Sequence, residues 1–360
     1  MSLQMSGLDC HRAGVSLRER LAFSREQIAK LLDWLKSQPG VEGCVLLSTC
    51  NRTEVYISGA PETDPWRLLC LGAGQAEAPF APFFTTRIGE AAAEHLMEVA
   101  CGLHSQILGE DQIITQVRVA LELAQARNAA DPVLASLFRH AVTAGKRAKT
   151  EIKVSRDVPS MGTRCREILE EELGGLEGKH ILVIGNGQMG RLAAELLHEA
   201  GADVQVTLRT YRHGETVVPS GCGTVPYEAR LAALEGADAL VSATTSPHYT
   251  LTLEQLRSLK KTPKIAMDLA VPRDIDPDCV QILKLYDTDA LGTGTPGTVQ
   301  ELSDIRAIAR DELDRFYQWQ RRQAAAEKRL RFPLFIDLSG KTVVLIGGGT
   351  IAARRIGSLR

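Results

Sequence analysis

The chain has 360 residues, 44% hydrophobic and 24% charged, with a net charge of -2 and a pI near 6.5. That suits a soluble globular protein of two or three domains at ~150 residues each, and excludes nucleic-acid binding driven by overall charge. No apolar run approaches the ~18 residues a membrane helix needs. The opening MSLQMSGLDCHRAG lacks the basic and apolar regions of a secretory signal, so a cytoplasmic location is expected.

GLDCHRAGVSLRERLAF reads as a short strand, a turn and an amphipathic piece. Ser24 with Gln27 makes a capping box for a helix whose Ile28, Leu31, Leu32 and Leu35 share one face, ending near Pro39 and Gly40. An apolar run, Val45 to Leu47, then delivers Ser48-Thr49-Cys50-Asn51-Arg52 to a polar turn, and Thr53 to Ile57 leads away. One turn thus holds a thiol and a guanidinium whose fork matches a carboxylate. A small buried Cys is the common alternative; the polar company and the nearby cation argue for a reactive one.

Gly59 to Pro82 shows no clear period. Helices are predicted over Ala91 to Cys101, Gln112 to Arg127, and Pro132 to about Lys153, with Asp131 as a start signal. His95 alone reads as an ordinary helix histidine as readily as a base. Ser105 and Glu110 to Gln112 read as a helix cap and first turn, which can also present donors to an anionic ligand. Lys146, Arg147 and Lys149, continuing to Lys153 and Arg156, form either a solvated helix face or a local nucleic-acid contact. The eight cysteines show no CxxC pair and no metal-clamp spacing, so free thiols and no metal are expected.

The apolar strand Ile181 to Ile184 runs into Gly185-Asn186-Gly187-Gln188-Met189-Gly190 and then a helix, Arg191 to Ala200. Strand, GxGxxG and helix in that order make a dinucleotide fingerprint, with phosphates on the helix start. The next strand, Asp203 to Leu208, ends at Arg209 and Thr210, where an NAD site would show an acid; arginine favours a 2′-phosphate, hence NADPH. Further strands at Ala239 to Ala243, Lys264 to Leu269 and Lys284 to Tyr286 complete a doubly wound α/β sheet. Val299 to about Arg329 is one long helix with a stripe of Leu302, Ile305, Ile308, Ala309, Leu313, Phe316 and Trp319. A second glycine cluster, Gly347 to Gly349, follows a strand at Val343 to Ile346. The chain stops at Arg360, short of the ~30 residues of a βαβ unit, which is expected for a truncated chain or a piece of a fusion.

STCNRTEVY resembles the active-site segment of the glutamyl-tRNA reductase family. RERLAF, HLM, GLHSQILGEDQI, SATTSPH and DLAVPRDIDP extend the resemblance. His104 stands where the family has Asp, and Leu208 where it has Asn. Residues 332–360 resemble the start of the dehydrogenase domain of sirohaem synthase (precorrin-2 dehydrogenase). The resemblance implies an N-terminal α+β catalytic domain over 1–153, a Rossmann-type NADPH domain over 154–292, a spinal dimerisation helix over 293–331, and a partial second dinucleotide motif over 332–360. It implies NADPH-dependent reduction of glutamyl-tRNA(Glu) to glutamate-1-semialdehyde through a thioester on Cys50, the first step toward 5-aminolevulinate and tetrapyrroles. His95 would sit near the thiol, with Thr49, Asn51, Arg52, Ser105, Glu110, Asp111, Gln112 and Gln116 around the glutamyl group. Gly185, Asn186, Gly187, Gln188, Met189, Gly190, Arg209 and Thr210 would hold the cofactor. Implied partners are glutamyl-tRNA(Glu), the aminomutase that consumes the semialdehyde as a candidate, and a second copy of the chain. The alternatives are a non-catalytic NADPH- or tRNA-binding regulator and part of a fusion with a sirohaem-pathway dehydrogenase.

Overall fold

The structure is a computed structural model that describes residues 2–105, 112–152, 161–209, 217–291, 298–327 and 342. Four strands, β1 (Ser2–Asp9), β2 (Val41–Ser48), β3 (Arg52–Gly59) and β4 (Thr85–Ile88), form an antiparallel sheet in the order β2-β3-β1-β4. Between them run α1 (Val15–Arg18), α2 (Arg25–Lys36) and α3 (Pro65–Gly72); α4 (Glu90–Ala100), α5 (Gln112–Ala126) and α6 (Pro132–Glu151) follow. The capping box at α2 is present, with Ser24 and Gln27 exchanging side-chain to backbone bonds, and its apolar stripe packs on β2. All eight residues of β3 are buried, with α3 and α6 both against it. A strand enclosed on both faces must satisfy its polar side chains internally. That requirement builds the site described below.

The second sheet follows α7 (Met161–Leu173). Its elements in chain order are β5 (His180–Ile184), α8 (Gln188–Glu199), β6 (Asp203–Leu208), β7 (Gly223–Pro226), α9 (Arg230–Leu234), β8 (Ala239–Ser242), α10 (Leu253–Ser258), β9 (Ile265–Asp268) and β10 (Lys284–Tyr286). The order is β10-β9-β8-β5-β6-β7 with every pairing parallel. The chain winds from β5 to one side and restarts at β8 on the other, the doubly wound arrangement whose ligand crevice lies where the order reverses. Alternate residues of β5 feed two cores: Ile181 and Val183 pack with α7 and α8, Leu182 and Ile184 with α9 and α10. Parallel strands covered on both faces read as unbroken apolar runs, which is why HILVI was recognisable.

Helix α11 (Val299–Glu327) buries Ile305, Ile308, Ala309, Leu313 and Phe316, the core of the expected stripe. Its Phe316 ring lies 6.2 Å from that of His140 on α6. The compact unit that holds both sheets ends at Gln318. Among the described residues, no helix is long and apolar enough to cross a membrane. Six of these elements have no counterpart in the sequence reading: α3 inside the unassigned Gly59 to Pro82 stretch, β4, α7, β7, α9 and α10. Residues 153–160 and the second glycine cluster lie outside the described residues.

Candidate active site

Antiparallel pairing of β2 with β3 leaves Thr49, Cys50 and Asn51 as the connecting turn. The Thr49 amide donates to the Arg52 carbonyl at 2.8 Å, and Thr49 Oγ1 accepts from the Asn51 and Arg52 amides at 3.2 and 3.1 Å. The Cys10 amide donates to the Asn51 carbonyl at 2.8 Å. The turn is therefore held by backbone bonds and one hydroxyl, leaving Cys50 half-buried at its tip. Asn51 is buried, and its Oδ1 has no partner. Burial pushes the thiols of Cys44, Cys101 and Cys165 up to about 12.

Below the turn lies a closed polar network. Arg52 is 2% exposed; its Nη1 donates to Glu54 Oε1 at 2.7 Å and its Nη2 to the His104 carbonyl. Glu54, two residues along the same strand face, also meets His95 Nε2 at 2.9 Å and accepts from the Tyr56 phenol at 2.7 Å. Gly7 stands opposite Glu54 across the β1–β3 pair, and a Cβ there would come within 2.6 Å of Glu54 Cγ, so only glycine leaves room for this carboxylate. Burial pushes the Glu54 carboxyl up, but His95, Arg52 and the hydrogen bonds more than offset it and hold it well below the usual range. With Nε2 against a carboxylate, which only accepts, a neutral His95 ring carries its lone pair on Nδ1. That Nδ1 is buried without a partner. His104 bonds Glu98 at 2.8 Å, and its ring stacks 5.0 Å from that of His95.

The sequence reading gave the Arg52 fork a substrate carboxylate as partner. In the structure its partners are Glu54 and the His104 carbonyl, because alternation puts an acid on the same buried face. A second buried arginine, Arg18, was not singled out. Its Nε donates to the Cys50 carbonyl at 3.3 Å and its Nη1 to the Ala13 carbonyl at 2.7 Å. Its Nη2 lies 2.8 Å from Asp289 Oδ1, off the line of a hydrogen bond, so that contact is ionic. Glu54, Tyr56 and Arg18 are the side chains sequence reasoning missed; the signal was charge inside an apolar strand and within RERLAF.

Ser105 follows His104 after α4, and Gln112 and Gln116 are half-buried in the first turns of α5, which packs on β2. Glu110, Asp111 and Thr210 lie outside the described residues. The basic strip on α6 is partly committed: Arg147 pairs with Glu151, Asp311 and Glu312, tying α6 to α11. That residue belongs to packing rather than to a phosphate contact; Lys153 and Arg156 lie outside the described residues.

At the dinucleotide fingerprint, Gly185 has φ +113, and its amide donates to Thr207 Oγ1 on β6. A Cβ at Gly190 would lie 2.0 Å from the Gly185 carbonyl oxygen, and one at Gly187 would meet nothing within 4 Å. The start of α8, with Gln188 and Met189 in its first turn, is thus closed toward the strand and open outward. Asn186 Oδ1 is buried there without a partner. Arg209 is exposed at the end of β6, its guanidinium 4.6 Å from the centre of the Tyr227 ring. These residues fit the pyrophosphate and ribose ends of a dinucleotide.

Residues 6–152 match the family described as glutamyl-tRNAGlu reductase, N-terminal domain, and residues 167–293 match shikimate/quinate 5-dehydrogenase. The chain is 41% identical, over all of its length and 73% of the relative's, to the probable multifunctional siroheme biosynthesis protein HemA of Ruminiclostridium josui. It is 38% identical to the glutamyl-tRNA reductase of Acetivibrio thermocellus, across 89% of this chain and 97% of that one. Among solved structures, the glutamyl-tRNA reductase from Methanopyrus kandleri is 31% identical over 88% of this chain and 75% of that chain, with a TM-score of 0.41.

Proposed function

The chain belongs to the glutamyl-tRNA reductase family, and on that premise we propose that it reduces glutamyl-tRNA(Glu) with NADPH to glutamate-1-semialdehyde. The observation that carries this reading is Cys50 at the tip of a backbone-clamped turn, two residues before Arg52 of the buried Arg52–Glu54–His95 network. The Cys50 sulfur attacks the ester carbonyl; a C–S bond forms as the C–O bond to the tRNA ribose breaks. The thiol proton passes to His95 Nδ1 and from there to the departing ribose oxygen. Glu54 keeps the ring in the tautomer that makes Nδ1 the acceptor. Asn51 Oδ1, an unpartnered acceptor beside the thiol, takes the α-ammonium of the glutamyl group. Ser105, Gln112 and Gln116 line the pocket for its side chain, a role that the family resemblance also gives Glu110 and Asp111.

When bound, NADPH supplies the hydride that replaces sulfur at the acyl carbon, leaving the aldehyde and a Cys50 thiolate. Gly185 to Gly190 hold the pyrophosphate, and Arg209, with Thr210, holds the 2′-phosphate. Replacing Cys50 by Ser tests the reading: NADPH oxidation dependent on glutamyl-tRNA should fall by ~10³-fold or more, whereas a non-catalytic NADPH- or tRNA-binding regulator would bind both ligands unchanged. One finding favours a second role. The relative named as a multifunctional siroheme biosynthesis protein aligns over the whole chain, including the second glycine cluster, which supports reading residues 332–360 as part of a fusion with a second activity of siroheme biosynthesis.

A further inference from the structure

Two charged neighbours, Arg18 and Glu19, reach from the antiparallel-sheet lobe to two separate loops of the parallel-sheet lobe. Arg18, 2% exposed, spans the Cys50 carbonyl on one side and Thr288 and Asp289 on the other, at 3.4 Å to Thr288 Oγ1 and 2.8 Å to Asp289 Oδ1. Asp289 Oδ2 in turn accepts from the Val15 amide at 2.7 Å. Glu19 takes the Arg273 guanidinium in a fork, with Nε to Oε2 at 2.9 Å and Nη2 to Oε1 at 2.5 Å, and also accepts from the Arg273 amide at 3.3 Å. Both residues of this second pair are mostly shielded from water, 18% and 15% exposed, where a bidentate pair is stronger and more directional than a surface one.

The loop that offers Arg273 is itself rigid. The next residue, Asp274, is buried and accepts from Ser242 Oγ at 2.7 Å, the Thr244 amide at 2.7 Å and Thr244 Oγ1 at 2.5 Å. It thereby fastens the loop after β9 to the loop after β8. Both loops lie at the carboxyl ends of strands next to the point where the strand order reverses, the place where such sheets take their ligand. A push or pull on Arg273 is therefore carried to the rim of the cofactor crevice.

We propose that Arg18 and Glu19 act as positioning residues: a two-point clamp that sets the cofactor crevice against the Cys50 turn, so that the acyl group on sulfur meets the hydride donor. The inference rests on the proposed reductase chemistry. Arg18 touches the nucleophile's own carbonyl, so it serves both steps; the Glu19–Arg273 pair touches neither the turn nor the fingerprint and serves only the second. A misplacement of about 1 Å between reacting centres costs roughly 10²-fold in rate.

The test uses the full chain with Glu19→Arg, Arg273→Glu and the double swap. Adduct formation on Cys50 from glutamyl-tRNA without NADPH should stay close to wild type in all three. Single-turnover NADPH oxidation by the preformed adduct should slow roughly 10–100-fold in each single variant and recover in the swap. In the cofactor-free protein, small-angle scattering should show a larger radius of gyration for the single variants and a wild-type value for the swap. Wild-type oxidation rates in the single variants, or a swap no better than either, would overturn the clamp alone. A wild-type chain that forms no Cys50 adduct would overturn the functional reading and the clamp with it.

Discussion

Each lobe buries a carboxyl group completely, and the two are driven in opposite directions. Glu54 on β3 sits among Arg52, His95 and Tyr56 and is held well below the usual carboxylate range despite its burial. Asp268 at the end of β9 has the Ala270 and Ile275 amides for partners and nearby Asp274 as a like charge; burial pushes it up to about 8. Depth alone therefore says nothing about charge; the neighbours decide it. The antiparallel lobe keeps fixed charges on the strand that follows the proposed nucleophile. In the parallel lobe burial raises the carboxyl of Asp268, and its neighbours do not bring it back down.

Removing the charge of Glu54 attacks the first half of that contrast and carries the largest expected effect. Glu54→Gln leaves Arg52 buried without its counter-ion, and denaturant titration should show a loss of ~3–5 kcal/mol. Because the folded carboxyl lies below its ordinary value, this stabilisation is present above ~4.3 and is lost as pH falls below it. A variant as acid-sensitive as wild type would refute the pairing. On the other lobe, Arg209→Asp puts an acid where the rim is proposed to favour phosphate; NADPH binding should weaken by ~1.5–3 kcal/mol, measured by fluorescence titration, with little change for NADH. Equal losses would remove the 2′-phosphate assignment. Gly190→Ala drives a methyl group into the Gly185 carbonyl and should lower both NADPH affinity and lobe stability by ~1–3 kcal/mol, seen in melting curves with and without cofactor, while Cys50 acylation continues.

A test read as a change of slope rather than as a loss is Asp268→Asn. A raised carboxyl is protonated in the folded lobe and ionised in the unfolded chain, so its stabilisation is complete below ~3.9 and declines as pH rises toward 8. The slope is at most ~1.4 kcal/mol per pH unit, and the Asn variant should flatten it. An unchanged slope would mean that Asp268 is not the neutral member of the comparison.

What the sequence made legible follows the same division. The parallel sheet declared itself because HILVI, the glycine fingerprint and the apolar runs of β8 and β9 are local patterns whose spacing states their geometry. The capping box at Ser24 was readable for that reason too. β7 was not, since GTVP is a short, largely exposed edge strand holding Gly and Pro, and α3 is too brief to show a period. Cys50 and Arg52 stood out in their turn, but the partner of Arg52 did not: Glu54 gains its meaning only when the chain fold brings His95 against it. Arg18 is the clearest case, because its contacts at Asp289 and Thr288 lie in the other sheet's loops and no spacing in the sequence points to them.

The central claim, that Cys50 carries the acyl group before any reductant is needed, is tested most directly by mass spectrometry after mixing the chain with glutamyl-tRNA and no NADPH. The account predicts one glutamyl group on the peptide containing Cys50, released as the aldehyde when NADPH is added. An unmodified Cys50, or an adduct on Cys10 instead, would contradict it.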